Sequence, residues 1–278
     1  MPRQFYSNGV YYHSKRERLP SWDELFLDLV YVAIIYNCGE ILKAAPITMD
    51  SLQHFILVTV MCLNTWYAQN YVSNSFSSSD MTYRIFLWVY HILALLMSVY
   101  GPGVMITKEE AYSSHVAFPG TANAFISFYF ASQAWLMIGG LSVFTTFPKV
   151  AWNYMIQTGF ILLAAIPAMV SIAYPQHIIP LWWTSIALYY VFLPSFYIID
   201  RVIFRNFYVI LTDLEHFIER YNIFTIVVMG EMFTAIVFHS TDATQVEPAV
   251  SVVLGIIIAL SIQFIYYNVD QENVFLIF

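Results

Sequence analysis

Eight apolar runs, each about as long as a bilayer is thick when coiled into a helix, constrain this chain more than anything else in it. They lie near residues 22–44, 51–72, 82–106, 119–145, 150–174, 177–199, 214–239 and 249–268 of 278. A helix rising 1.5 Å per residue needs about 20 residues to cross roughly 30 Å of hydrocarbon. A membrane β-barrel fits poorly, because its strands alternate over about ten residues whereas these runs are apolar on nearly all sides. Only 10% of the residues are Asp, Glu, Lys or Arg and 59% are apolar; a soluble domain carries about a quarter and about half. Soluble enzymes, nucleic-acid binders and disordered chains all need more polar surface than that. The expected fold class is all-α: a polytopic transmembrane helix bundle of about eight spans.

Pro46, Gly101-Pro102-Gly103, Pro119-Gly120, Pro148, Pro175 and Pro180 punctuate the runs, as turn formers should. Between the fifth and sixth runs stand only Tyr174-Pro175-Gln176-His177. Pro167 and Pro194 fall inside spans, where a missing amide donor kinks a helix and neighbouring helices satisfy the freed carbonyl. Arg3, Lys15, Arg16, Arg18, Arg84, Lys149, Arg201 and Arg205 fall on one side of the alternating topology, against Lys43 and Lys108 on the other. That bias puts both termini in the cytoplasm. Residues 1–20 then read as a cytoplasmic segment without a secretory signal, and 21–278 as the transmembrane domain. The chain ends on apolar Val274-Phe275-Leu276-Ile277-Phe278, which reads like the start of a further helix. Cys38 and Cys62 lie within apolar spans, lack metal-ligand spacing, and read as small buried hydrophobes with no redox partner nearby.

Formal charge is concentrated in spans one, three and seven; the other five contain no Asp, Glu, Lys or Arg. Charges inside a membrane are expensive, face the bundle interior, and often mark a pathway. The first span opens Ser21-Trp22-Asp23-Glu24-Leu25-Phe26-Leu27-Asp28. Ser21 and Glu24 have capping-box spacing, which is the bland reading of Glu24. Asp28 lies one turn deeper on the same face, beyond the capped amides, and needs a buried partner. Span seven offers Thr212 and Glu215 as a second capping box, then His216, Glu219 and Arg220, and later Gly230-Glu231. His216, Arg220 and Glu231 fall on one helical face. Glu24, Asp28, Arg84, His216, Glu219 and Arg220 are expected near the cytoplasmic surface, with Asp28 paired to Arg220 and Arg84 as a competing partner. Glu231 is expected about 16 Å deeper, near the midplane, where Gly230 permits close helix approach or a local break. Glu231 is open to two readings: a neutral carboxyl bonded to a neighbouring helix, or a proton- or cation-binding group. His91 is another mid-depth candidate, although a satisfied core histidine is its simpler reading. Glu40 and His54 read as interfacial, Asn64, Asn123, Gln133 and Gln157 as interhelical hydrogen-bonders, and Trp182-Trp183 with the many tyrosines near span ends as an aromatic belt.

The stretches Trp22-Asp23-Glu24-Leu25-Phe26-Leu27-Asp28-Leu29-Val30-Tyr31 and His216-Phe217-Ile218-Glu219-Arg220 through Met229-Gly230-Glu231 resemble the two signatures of the low temperature requirement A (LtrA) family. That family pairs a W-x-E-L-F-x-D-L-V-type first helix with an H-x-x-E-R to G-E helix, and Tyr83-Arg84 fits it too. The resemblance covers essentially the whole chain. It implies a multi-pass membrane protein, supports Glu24, Asp28, Arg84, His216, Glu219, Arg220 and Glu231 as site residues, and implies no particular substrate.

No CxxC, HExxH, phosphate loop, GxSxG elbow or nucleophile–base arrangement is visible, so neither enzymatic activity, a metal nor a cofactor is expected. The leading expectation is a proton- or cation-linked transporter or channel, with Glu231 binding the ion and Asp28 and Arg220 gating the cytoplasmic side. The alternative is a non-transporting membrane sensor or scaffold whose charges hold the bundle together. Expected partners are the lipid bilayer, a proton or small ion or solute, and a second copy of the chain, with no nucleic acid; the plasma membrane is the favoured host.

Overall fold

The apolar runs become helices with almost the bounds their composition sets. The structure, a computed structural model, describes residues 5–7, 10–12, 22–44, 48–75, 81–101, 118–146, 148–203, 209–210, 214–240, 253, 256–258, 260 and 261. Seven long helices occur among them: α1 (Trp22–Ala44), α2 (Met49–Ser75), α3 (Met81–Tyr100), α4 (Phe118–Thr146), α5 (Pro148–Ala173), α6 (Ile178–Ile203) and α7 (Leu214–Ser240). Helical residues at 253, 256–258, 260 and 261 fall in the eighth run. The described residues form two compact units, Met1–Glu219 and Arg220–Phe278.

Local chemistry explains the helix starts. Pro119, Pro148 and Pro180 sit in the first turns of α4, α5 and α6, where the amide that proline lacks has no intrahelical partner anyway. At α2, Thr48 Oγ1 accepts from the Ser51 amide at 3.2 Å while the Thr48 amide donates to Ser51 Oγ at 2.9 Å, a reciprocal cap. A 3-10 turn, Pro175–His177, divides α5 from α6 where the run of apolar residues barely breaks. The third helix ends at Tyr100, short of the expected 106, and the Gly101 amide bonds the Ser98 carbonyl at 3.1 Å. Residues 102–117 lie outside the described set. Pro167 is accommodated inside α5.

A feature that the helical reading did not anticipate is a small antiparallel sheet, β2-β1-β3, made by β1 (Phe5–Ser7), β2 (Val10–Tyr12) and β3 (Val209–Ile210). Phe5 pairs with Tyr12 and Ile210, and Tyr6 with Tyr11 and Val209. Strands of two or three residues are too short for alternation to reveal them. The sheet joins the N-terminal segment to the connection between α6 and α7.

Within the first unit, α1 packs on α2 and α3, α3 on α4, α4 on α5, α5 on α6, and α2 touches α4 and α6. The exposed faces are the more apolar ones. On α3, Ile85, Trp88, Ile92, Leu95 and Val99 form one exposed stripe, while Tyr90, His91 and Ser98 are buried. Such an inverted stripe suits contact with lipid, which no soluble helix face needs. Among the described residues, two stretches, Met81–Tyr100 and Tyr154–Ala173, are long and apolar enough to cross a membrane by length and composition.

Three expectations about aromatic and polar side chains need correction. Trp182 is buried, not in an aromatic belt: it stacks on Phe125 at 5.4 Å and its indole donates to Ser171 Oγ at 3.1 Å. Adjacent helical residues diverge by about 100°, so Trp183 alone is exposed. Tyr154, near a span end, is likewise buried; Tyr31, Tyr90, Tyr129 and Tyr189, in mid-span, are buried too, each an apolar ring whose hydroxyl needs a polar partner. His54, expected at the interface, is buried on the inner side of α2.

Candidate functional site

Glu24 and Asp28 lie one turn apart on α1, so their side chains share a face. That face is turned inward: Glu24 is 4% and Asp28 1% exposed. The flanking residues explain why, since Leu27, Val30, Tyr31 and Ile34 are buried beside them while Phe26 and Leu29 are exposed. Burial strips both carboxylates of water and makes each depend on protein partners.

For Asp28 the partner is Trp66 on α2, whose indole Nε1 donates to Oδ1 at 2.9 Å. A hydrogen bond to a charged acceptor contributes about 1.5–3 kcal/mol. For Glu24 it is His216 on the first turn of α7, with Nε2 3.6 Å from Oε2. Phe217, next to that histidine, meets the Tyr67 ring edge-on at 5.7 Å and holds the helix start against α2. A buried carboxylate facing a buried imidazole can share or pass one proton, because protonating either changes the charge felt by the other.

One layer further into the bundle, hydroxyls converge on α2. Tyr31 and Thr65 Oγ1 lie 2.8 Å apart, Tyr90 donates to the Thr65 carbonyl at 2.6 Å, and Tyr189 donates to the Asn64 carbonyl at 3.2 Å. Asn37 Nδ2 donates to the Ser98 carbonyl at 2.8 Å and its hydroxyl at 3.1 Å, tying α1 to α3. Cys38 and Cys62 are buried as expected, yet their sulfurs lie 3.8 Å apart. The expectation that neither thiol has a neighbour of its own kind therefore fails. The antiparallel pairing of α1 with α2 brings together residues 24 apart in the chain.

The structure thus brings Glu24, Asp28 and His216 into one buried region. His91 is buried as well, its ring 6.1 Å from that of Phe26. Glu219 is half-buried on α7, and Arg84 is exposed in the first turn of α3. Arg220 opens the second unit, one turn past His216 on the same helix. The expected pairing of Asp28 with Arg220 joins residues of different units. Glu231 and Gly230 are exposed on α7. Gly230 makes neither the close approach nor the break expected of it: α7 runs unbroken from Leu214 to Ser240, and an added Cβ there meets nothing within 4 Å among the described residues. Ser21, Thr212 and the side chains of Asp23, Glu40 and Glu215 lie outside the described residues, and both expected capping boxes with them.

Sequence reasoning named Asn64 but missed Trp66 and the rest of the polar face of α2. Asn64, Thr65, Gln69, Asn70, Ser73 and Asn74 are all buried. Their recurrence at intervals of four (65, 69, 73 and 70, 74) inside an uncharged run was the available signal. Gln133 and Gln157 are expected to bond across helices, yet neither amide atom of Gln133, and not the Gln157 carbonyl oxygen, has a hydrogen-bond partner among the described residues.

Comparison with known proteins gives one match: the family model described as bacterial low temperature requirement A protein (LtrA) covers residues 20–276. No curated protein and no solved structure matches.

Proposed function

The chain belongs to the bacterial low temperature requirement A family and is a membrane protein of that type, and on this premise we propose that it is a proton- or cation-linked transporter or channel. The observation that carries the proposal is the buried pair of carboxylates on α1, with Glu24 3.6 Å from His216. Ionisable groups at such a position are costly in a bilayer and are retained most often on ion or proton pathways. In this reading Glu24 and His216 exchange a proton, and Asp28, poised by Trp66, is the second carboxylate. Arg220 is the cation on the next turn of α7. Glu231, about 16 Å further along that helix, is a second ion-binding group. Arg84 and Glu219 tune the entrance.

The proposed topology has eight spans with both termini cytoplasmic. Its support is the small sheet: β1 and β2 precede α1, β3 follows α6, and hydrogen-bonded strands share one side of the membrane. Six crossings, an even number, separate them. The Lys and Arg bias places that side in the cytoplasm.

One observation favours a second reading, a non-transporting scaffold or sensor: Trp66 already satisfies an Asp28 oxygen, as a purely structural carboxylate requires. The test is reconstitution into liposomes that enclose a pH-sensitive dye. Transport predicts a dye response to an imposed proton or cation gradient that protein-free vesicles lack and that Glu231→Gln reduces. A response equal to that of empty vesicles, or an unaltered one in Glu231→Gln, counts against it.

A further inference from the structure

Three glutamines on three helices occupy one level of the first unit. Gln69 on α2, Gln133 on α4 and Gln157 on α5 are 0%, 0% and 5% exposed. Two sets of contacts bracket them. On one side, the Tyr129 hydroxyl on α4 lies near the side chains of Asn64 on α2 and Ser185 on α6, and Ser185 donates to the Ala164 carbonyl on α5 at 2.7 Å. On the other, Tyr154 on α5 donates to the Leu136 carbonyl on α4 at 2.9 Å and lies near Tyr71 on α2. Gln69 falls between Asn64 and Tyr71, Gln133 between Tyr129 and Leu136, and Gln157 between Tyr154 and Ala164. At 1.5 Å per residue, each glutamine sits within about 5 Å of the Tyr154 level. Trp66, which holds Asp28, is one turn before Gln69 on the same helix.

Both amide atoms of Gln69, of its neighbour Asn70 and of Gln133, with Oε1 of Gln157, are buried without a hydrogen-bond partner among the described residues. A buried polar atom left unsatisfied costs about 1–3 kcal/mol, and native interiors seldom carry several together. Three amide nitrogens and four carbonyl oxygens are therefore held ready for a guest. The mixture selects its chemistry. Amide N–H groups repel a bare cation, carbonyl oxygens repel an anion, and none of the four side chains carries formal charge. A small uncharged molecule with both donors and acceptors satisfies the set.

We propose that Gln69, Asn70, Gln133 and Gln157 form a binding layer for small neutral hydrogen-bonding solutes, of the simple amide or polyol class, beside the Asp28 cluster. Binding stands on this layer alone; that the solute crosses the bilayer rests on the transport reading above. The test uses the full chain in phosphatidylcholine–phosphatidylglycerol vesicles, with urea and glycerol as probes. Re-swelling after an osmotic step is followed by stopped-flow light scattering, and an enclosed pH dye is read in parallel.

Protein-containing vesicles are expected to re-swell faster than empty ones with at least one probe, and Gln133→Met and Gln157→Met to reduce the protein-dependent rate at least about fivefold. Because methionine removes two unsatisfied buried atoms at Gln133 and one at Gln157 without changing the volume much, both variants should melt in detergent at or above the wild-type temperature. Melting below it, with solute entry unchanged, identifies the glutamines as interhelical ties and overturns the proposal. Wild-type entry no faster than in empty vesicles overturns it as well, even where the dye reports proton movement. Accelerated entry with a silent dye supports the layer while removing the proton-linked reading.

Discussion

Replacing Trp66 with Phe deletes one hydrogen-bond donor from the interior and leaves the Asp28 carboxylate, 1% exposed, without its 2.9 Å indole bond. Two estimates bear on the size of the effect. Hydrogen bonds to charged groups in proteins contribute about 1.5–3 kcal/mol, whereas those between membrane helices average about 0.6 and reach about 1.7 kcal/mol. The smaller figure reflects neutral pairs whose partners find substitutes in the membrane-embedded unfolded state. A buried carboxylate finds substitutes less easily, so a loss of about 2 kcal/mol is expected. For a chain of this size about 2–4 °C of melting temperature accompanies each kcal/mol, giving a fall of roughly 4–8 °C. The assay is thermal unfolding in detergent of the wild type, Trp66→Phe, Asp28→Leu and the double variant. Because the double variant removes both ends of the same bond, its loss should be smaller than the sum of the two single losses by about 1 kcal/mol or more. Strict additivity of the two substitutions would refute the Trp66–Asp28 bond.

Three other outcomes follow from the packing. In Gly139→Ala the new Cβ would lie 2.6 Å from the Phe86 ring, which Tyr83 and Trp135 stack against at 6.4 and 5.7 Å. Overpacking of this kind costs about 1–3 kcal/mol, seen as a lower melting temperature that Phe86→Leu restores; an unchanged temperature contradicts the α3–α4 contact. Cys38 and Cys62, 3.8 Å apart, should join in a disulfide under a membrane-permeant oxidant, protecting both thiols from maleimide after denaturation, and full labelling would contradict the α1–α2 register. Ile92→Lys, in the middle of the exposed α3 stripe, should lower membrane insertion by about 2.5–3.5 kcal/mol, whereas Ile92→Ala should hardly change it; equal insertion would show that this face does not meet lipid.

Much of the architecture was legible because hydrophobic length is a strong signal. The run at 22–44 became a helix with the same bounds, and 119–145 and 214–239 gained only one residue at an end or at each end. The family was equally legible, from the Trp22–Tyr31 and His216–Glu231 stretches. The facing of each helix was harder to read. In a bilayer both the lipid side and much of the protein side are apolar, so periodicity gives little contrast. Tyr90 and Trp88 lie two residues apart on α3, yet one is buried and the other exposed. Charge escaped that ambiguity: Asp28, beyond the capped amides, had to face inward, and it does; Glu24, open to a capping reading, is buried as well. Their neighbours Trp66 and His216 divide instructively. The histidine was singled out by its motif, while the tryptophan looked like any other aromatic in an apolar run. The sheet was hidden for a different reason, since its third strand is two residues long and pairs with a partner some 200 positions away.

Proton movement in Asp28→Asn tests the central claim most directly. Asparagine keeps a carbonyl oxygen to accept the Trp66 bond, so the helix pair should hold and the melting temperature should stay near that of the wild type, but the side chain no longer titrates. In dye-loaded proteoliposomes under an imposed pH gradient, transport through the buried carboxylate cluster predicts that the folded variant loses most of the protein-dependent flux. Wild-type flux in a variant with unchanged melting would contradict that claim and leave Asp28 as a structural anchor.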